Sequence, residues 1–335
     1  MILSFPFSFG FGLLSVVGSL LAVSASHWLG VWLGLEINLL GFIPLMVQGV
    51  GNQSVESAVK YFIIQALGSG FLLLGGFCLG NSCFLWFVGG SSPLLFVFCF
   101  FGLFLKLGVA PFHWWVPSVM GGLSWFGCGM LATWQKVAPF FVLGSLSYIF
   151  PSLFFFFGLF SGVVGGFMGL GQVQLRLLMA YSSVAHWGWI ISVLGLSLVG
   201  GICYFVFYFL LSAGVFYFLA CSGVWRSSQL GGSFIFFVGV GFLSLAGLPP
   251  LTGFIPKWLG LSVLVKSGGF ILAFFLIVGS LLSLYYYLSF LFLVFLSGDY
   301  GYSGSVNKIF RFSVCFGLVT FLLGIPFYEV LFYLF

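Results

Sequence analysis

Four ionisable residues sit inside long apolar runs: Glu36, Lys106, Lys136 and Lys257. At the centre of a membrane helix each costs about 2.5–3.5 kcal/mol on insertion scales, so four together are a liability that function has to explain. Out of water the charged form of either residue type is disfavoured, so a carboxyl followed by three amines is a set of stations able to exchange protons near neutral pH. Two histidines belong with them. His113 lies between Lys106 and Lys136, where a neutral imidazole can pass a proton, and His186 follows Ser182 and Ser183 in SSVAHWGW. The competing readings are structural: Glu36 and Lys106 as one static ion pair, and Lys136 and Lys257 snorkelling to an interface.

The elements that must carry these residues are membrane helices. Only 13 of the 335 residues are charged, 62% are apolar and the mean hydropathy is +1.29, which excludes a water-soluble globule. The net charge of +5 is too scattered for a nucleic-acid surface. The apolar runs lack the alternation of barrel strands, so the expected fold is an all-α polytopic membrane protein. Eleven spans are predicted, at about 2–24, 28–48, 59–80, 92–116, 120–148, 152–171, 177–197, 200–222, 233–262, 269–297 and 309–333. The segment around Cys83 to Gly89 is too short to span. Loops after even-numbered spans hold Lys60, Arg176, Arg226, Lys308 and Arg311, against Lys266 alone after odd ones, which puts the N-terminus inside and the C-terminus outside.

Two of the spans share a pattern. KLGVAPFHWWVP and LAGLPPLTGFIPK both fit G-x-x-P-x-x-x-x-x-P, through Gly108, Pro111 and Pro117 and through Gly247, Pro250 and Pro256. Proline removes a backbone donor and breaks the helix, and a break at membrane depth is tolerated only where it is buried or lines a wet cavity. The copies lie an odd number of spans apart and so enter the membrane in opposite directions, the arrangement of an inverted repeat. The predicted organisation is a first five-helix repeat over 1–148, a second over 149–297, each with a broken helix, and a C-terminal loop and helix over 298–335. The glycines Gly158, Gly162 and Gly166 read as close helix packing.

Other chemistry has no motif to stand on. The seven cysteines form no C-x-x-C, no helix carries the paired histidines of a haem bundle, and no glycine run has the dinucleotide or phosphate-loop spacing. No cofactor or metal is expected on this chain.

The stretches LGLEINLLGFIPLM, KLGVAPFHWWVPSVMGGLSW, TWQKVAPF, QLRLLMAYSSVAHWGW and LAGLPPLTGFIPKW, in order from residue 33 to 258, resemble the chain 2 family of mitochondrial NADH:ubiquinone oxidoreductase. These are antiporter-like membrane subunits of respiratory complex I. The resemblance implies a multi-pass subunit of the mitochondrial inner membrane, with the N-terminus on the matrix side and the C-terminus on the intermembrane side. It implies partners among the other membrane-arm subunits, with NADH, FMN, iron–sulfur clusters and ubiquinone bound elsewhere in the complex. It also implies a mid-membrane polar axis whose members match Glu36, Lys106, Lys136 and Lys257. On that reading Glu36 receives or senses charge, Lys106 switches against it, and Lys136 and Lys257 pass protons on, with His113 and His186 along the path. The family's acidic V-P-E-V-M-E-G stretch is absent here, where Ser118 and Gly121 stand instead. The rival from a different class is a free-standing cation/proton antiporter or solute carrier; a third reading is a passive helical scaffold.

Overall fold

The structure is a computed structural model and describes residues 6–48, 51–78, 93–223 and 233–296. The eleventh predicted span, the anchors Arg226, Lys308 and Arg311, the Cys83–Gly89 segment and the 298–335 region lie outside them. Every element among the described residues is helical. They are α1 (Pro6–Ser24), α2 (Trp28–Val47), α3 (Asn52–Cys78), α4 (Pro93–Leu107), α5 (Trp115–Met120), α6 (Trp125–Ala132) and α7 (Trp134–Ser145), then α8 (Pro151–Met168), α9 (Leu175–Leu194), α10 (Leu198–Ser222), α11 (Ser233–Ala246), α12 (Phe254–Lys266) and α13 (Phe270–Leu296). Six of these helices are long and apolar enough to cross a membrane: α2, α3, α8, α9, α10 and α13. Without water to pair with backbone groups, a helix that satisfies its own donors and acceptors is the form such runs take.

The chain divides into two compact units, Met1–Leu146 and Ser147–Phe335. In the first, α1 lies along α2, α3 along α4, and α7 touches α1, α2, α4 and α6. In the second, α8, α10, α12 and α13 surround α9, which is buried along nearly its whole length. Small residues let these backbones meet. A methyl on Gly166 would stand 2.7 Å from the Gly279 carbonyl and one on Gly158 3.1 Å from that of Gly188, so the glycine series of α8 is its contact surface with α9 and α13. The outward faces of α1, α3 and α13 carry exposed Leu, Val, Ile and Phe, as a lipid-facing surface requires.

Several boundaries differ from the hydropathy reading. The third helix begins at Asn52, so Lys60 lies within α3 and pairs with Glu56 one turn earlier at 2.6 Å; it is not a loop residue. Backbone hydrogen bonding carries a helix past the end of its apolar run, because polar side chains at its end simply face outward. The fourth predicted span stops being helical at Leu107, and its end runs through a turn into α5, while the ninth is two helices, α11 and α12. The fifth, expected to be continuous, is also two, with α6 ending and α7 starting at Thr133.

Candidate functional site

Both paired-helix spans break by the same local device. At the end of α4, Gly108 takes φ +71 and the Val109 amide reaches back to the Phe104 carbonyl; at the end of α11, Gly247 takes φ +81 and the Leu248 amide reaches the Leu243 carbonyl. This is the left-handed helix stop that glycine adopts without the penalty of a Cβ. The proline three residues further on cannot continue a helix. Each break leaves C-terminal carbonyls that have no partner within their own helix.

In the first unit the Leu105 carbonyl is taken by the indole Nε1–H of Trp115, at 3.1 Å. The Lys106 side chain is 5% exposed. Its stem runs past Gly68 of α3, where a methyl would stand 3.2 Å from Lys106 Cγ, and the Gln65 amide donates to the Lys106 carbonyl at 3.3 Å. Lys106 and Glu36 of α2 close no salt bridge, and Glu36 Oε1 is buried without a hydrogen-bond partner. The static ion pair is therefore not what the first unit contains. His113, in the turn between α4 and α5, is 3% exposed; its Nδ1 faces the Pro111 carbonyl at 3.3 Å, its ring lies against Trp114, and its Nε2 is buried without a partner.

Lys136 is wholly buried near the start of α7 and does not snorkel. Beside it runs a network that the sequence reading missed. The Tyr61 hydroxyl of α3 donates to Gln135 Oε1 at 3.2 Å, and Gln135 Nε2 donates to Asn38 Oδ1 at 3.0 Å. All three side chains are buried. The bonds join α2, α3 and α7 two residues from Glu36 and one from Lys136. The signal was present as polar amides inside apolar runs, but their mutual pairing depends on packing.

In the second unit the break is closed by the lysine itself. Lys257, buried in the first turn of α12, donates from Nζ to the Ala246 carbonyl at 2.7 Å. Its stem passes over Gly247, where a methyl would stand 2.8 Å from Cδ. A cation at a helix C-terminus also gains from the macrodipole, up to about 2 kcal/mol when partly buried. Thr252 Oγ1, in the turn between α11 and α12, is buried without a partner. His186 lies on α9, its Nδ1 3.3 Å from the Tyr204 hydroxyl and its ring 5.2 Å from that of Tyr208. Glu36, Lys106, Lys136 and His113 thus belong to one unit, and Lys257 and His186 to the other. Among the described residues no three His, Cys, Asp or Glu side chains gather as a metal site would.

The family model described as NADH:quinone oxidoreductase/Mrp antiporter, transmembrane, matches residues 25–283. The chain is similar to the NADH-ubiquinone oxidoreductase chain 2 of Locusta migratoria, 36% identical over 281 residues (82% of this chain and 81% of the relative). It is also similar to that of Xenopus laevis, 38% identical over 308 residues and 88% of each chain. Among solved structures it superposes on a chain of respiratory complex I from Thermus thermophilus with a TM-score of 0.83 at 28% identity, covering 95% of this chain and 77% of that one. A chain of the Mrp complex from Dietzia shares the fold, with a TM-score of 0.77 at 19% identity and coverage of 89% and 61%.

Proposed function

Starting from the fact that the chain belongs to the NADH:quinone oxidoreductase/Mrp antiporter family, and within it to the NADH-ubiquinone oxidoreductase chain 2 proteins, we propose that its buried charges are the proton stations of an antiporter-like complex I subunit. The subunit carries no redox step of its own in this reading. NADH, FMN, iron–sulfur clusters and ubiquinone belong to partner subunits, and electron transfer there is coupled to proton movement here. The membrane is the inner mitochondrial one, crossed eleven times. The N-terminus faces the matrix, supported by the bias of basic residues near the ends of the spans. The shared glycine stop at Gly108 and Gly247 supports an inverted pair of five-helix repeats.

The observation that carries the reading is a buried Lys106 that closes no salt bridge with Glu36, whose Oε1 is itself buried without a hydrogen-bond partner. Two unit charges in a poorly screened interior influence one another over several ångströms far more than in water. While Glu36 is anionic it favours the Lys106 ammonium. Once Glu36 is protonated that support is withdrawn, and Lys106 passes its proton onward to Lys136, with His113 as the imidazole able to relay. Lys257 and His186 serve as the corresponding stations of the second unit. A closed salt bridge would hold both groups too tightly for this, and two isolated charges would not communicate.

The test is Lys106→Ala in the assembled complex, reconstituted in liposomes. Coupled proton pumping falls while assembly, followed on native gels, is largely spared. Full pumping in an assembled Lys106→Ala complex sinks the role.

A further inference from the structure

Helix α3 turns one face toward the two lysine-bearing helices of the first unit. Tyr61, Gln65, Gly68 and Leu72 recur at helical spacing and so share one side of it, and all four are buried. Tyr61 donates to Gln135 of α7, next to Lys136, while the other three meet α4 at Lys106 and one turn before it. A glutamine on such a face calls for a reason, because a buried amide costs free energy unless it is hydrogen-bonded.

The Gln65 amide answers a need that the Gly108 stop creates. The amides that turn back there go to the Phe104 and Leu105 carbonyls, and Pro111 has no amide to offer. Among the described residues no backbone amide outside the helices reaches the Lys106 carbonyl, and Gln65 Nε2 donates to it at 3.3 Å. The backbone of the lysine is thus tied to α3. Its side chain is confined by the same helix. A helical side chain leans back toward the turn before its own, which brings the Lys106 stem toward the level of Gly102. There α3 and α4 meet glycine to glycine: a methyl on Gly102 would stand 2.7 Å from the Gly68 carbonyl, and one on Gly68 3.2 Å from both the Gly102 carbonyl and Lys106 Cγ. Any side chain at position 68 would take room beside the stem. A lysine stem is long and flexible, so a wall of backbone along it removes rotamers and aims the ammonium.

We infer that Gln65 and Gly68 of α3 are positioning residues for Lys106, one fixing its backbone at the helix break and the other shaping the slot its stem occupies. The inference rests on the proton-station reading of Lys106 and adds which residues aim that station. Neither residue exchanges a proton: the amide does not titrate, and glycine has no side chain. Their effect is on where the ammonium stands, and a misplacement of about 1 Å at a reacting group can cost on the order of a hundredfold in rate. The competing explanation is helix packing alone. Leu72 separates the two, because it serves the same α3–α4 contact one turn from the lysine, its Cγ 2.9 Å from where a methyl on Gly102 would stand.

The experiment compares Gln65→Met, Gly68→Ala, Leu72→Ala and Lys106→Ala in the assembled complex in liposomes, reading the pumping rate per assembled complex and its pH profile. Methionine keeps the length of glutamine and removes the amide. The first three variants change no titratable group: Glu36, Glu56, Lys60, Tyr61, His113 and Lys136 stay in place on α2, α3, α7 and the turn after α4, so a displaced profile reports the surroundings of Lys106. Gln65→Met is expected to pump about tenfold more slowly with a displaced profile, and Gly68→Ala to show a smaller effect of the same kind. Leu72→Ala opens a cavity in the same contact and is expected to lower the thermal midpoint while keeping the wild-type profile. If Gln65→Met assembles poorly, Gly68→Ala decides in its place. Wild-type rate and profile in the Gln65 and Gly68 variants, alongside a defective Lys106→Ala, overturn the positioning role and leave the lysine station standing. A Leu72→Ala profile displaced as far as theirs overturns it as well, since packing alone then accounts for the effect. Normal pumping by Lys106→Ala overturns the reading on which the inference rests.

Discussion

The two helix breaks share a backbone and differ in which side chain completes them. At Gly108 a neutral indole, Trp115, donates to the Leu105 carbonyl in the last turn of α4, and the nearby Lys106 closes no salt bridge. At Gly247 the lysine takes the carbonyl of α11 itself. The same glycine stop therefore supports two behaviours. In one, a buried lysine lies beside the break without closing a salt bridge. In the other, an ammonium is held by a backbone dipole, so losing its proton also costs a structural hydrogen bond. A lysine two residues before the break and one ten residues after it are not in equivalent positions.

The comparison can be broken most sharply at the lysines. Lys257→Met orphans the Ala246 carbonyl, so the assembled complex should lose about 1–3 kcal/mol of stability in addition to pumping. Lys106→Met should lose pumping with a much smaller shift in thermal midpoint. Equal shifts in both would erase the distinction. Next in size is Gly247→Ala, where a left-handed non-glycine residue costs about 1–2 kcal/mol and the new methyl pushes on the Lys257 stem. Hydrogen exchange should accelerate around 243–248, and pumping should fall with it. At Gly108 the methyl would meet Val116 and Trp115 instead, so a defect in packing precedes any defect in Lys106.

Trp115→Phe sharpens the contrast from the other side. Without the indole N–H the Leu105 carbonyl keeps only the Gly108 amide as donor, and the lost hydrogen bond costs about 1 kcal/mol. Pumping should decline although every titratable group is intact; unchanged pumping would mean that the indole only packs. The smallest effect is expected from Tyr61→Phe, which removes one interhelical hydrogen bond worth about 0.6 kcal/mol on average in membrane proteins. A slightly lower thermal midpoint with normal assembly is the expected result.

Much of this was visible before any coordinates. Hydropathy alone made the chain a membrane protein, the Gly and Pro spacing marked two helix breaks, and four charges stood out as too costly to be incidental. The break at Thr133 escaped notice because LATWQK contains neither glycine nor proline to announce it. There the Thr133 hydroxyl and amide both turn back to the Gly129 carbonyl, and α7 starts afresh. Lys60 was misread because a polar first turn ends an apolar run without ending a helix. The Tyr61–Gln135–Asn38 network and the tyrosine cluster around His186 were legible only as scattered polar residues.

By itself the sequence determined the solvent, the helical form, the positions of the glycine stops and which charges leave water, because transfer energies and backbone sterics are local properties of residues. Only the tertiary structure decided the contacts: a helix-end carbonyl for Lys257, Tyr204 for His186, Gln135 for Asn38. Hydrogen bonds and charge interactions fall off over a few ångströms, and which groups come that close is set by how the helices pack, not by where they lie along the chain.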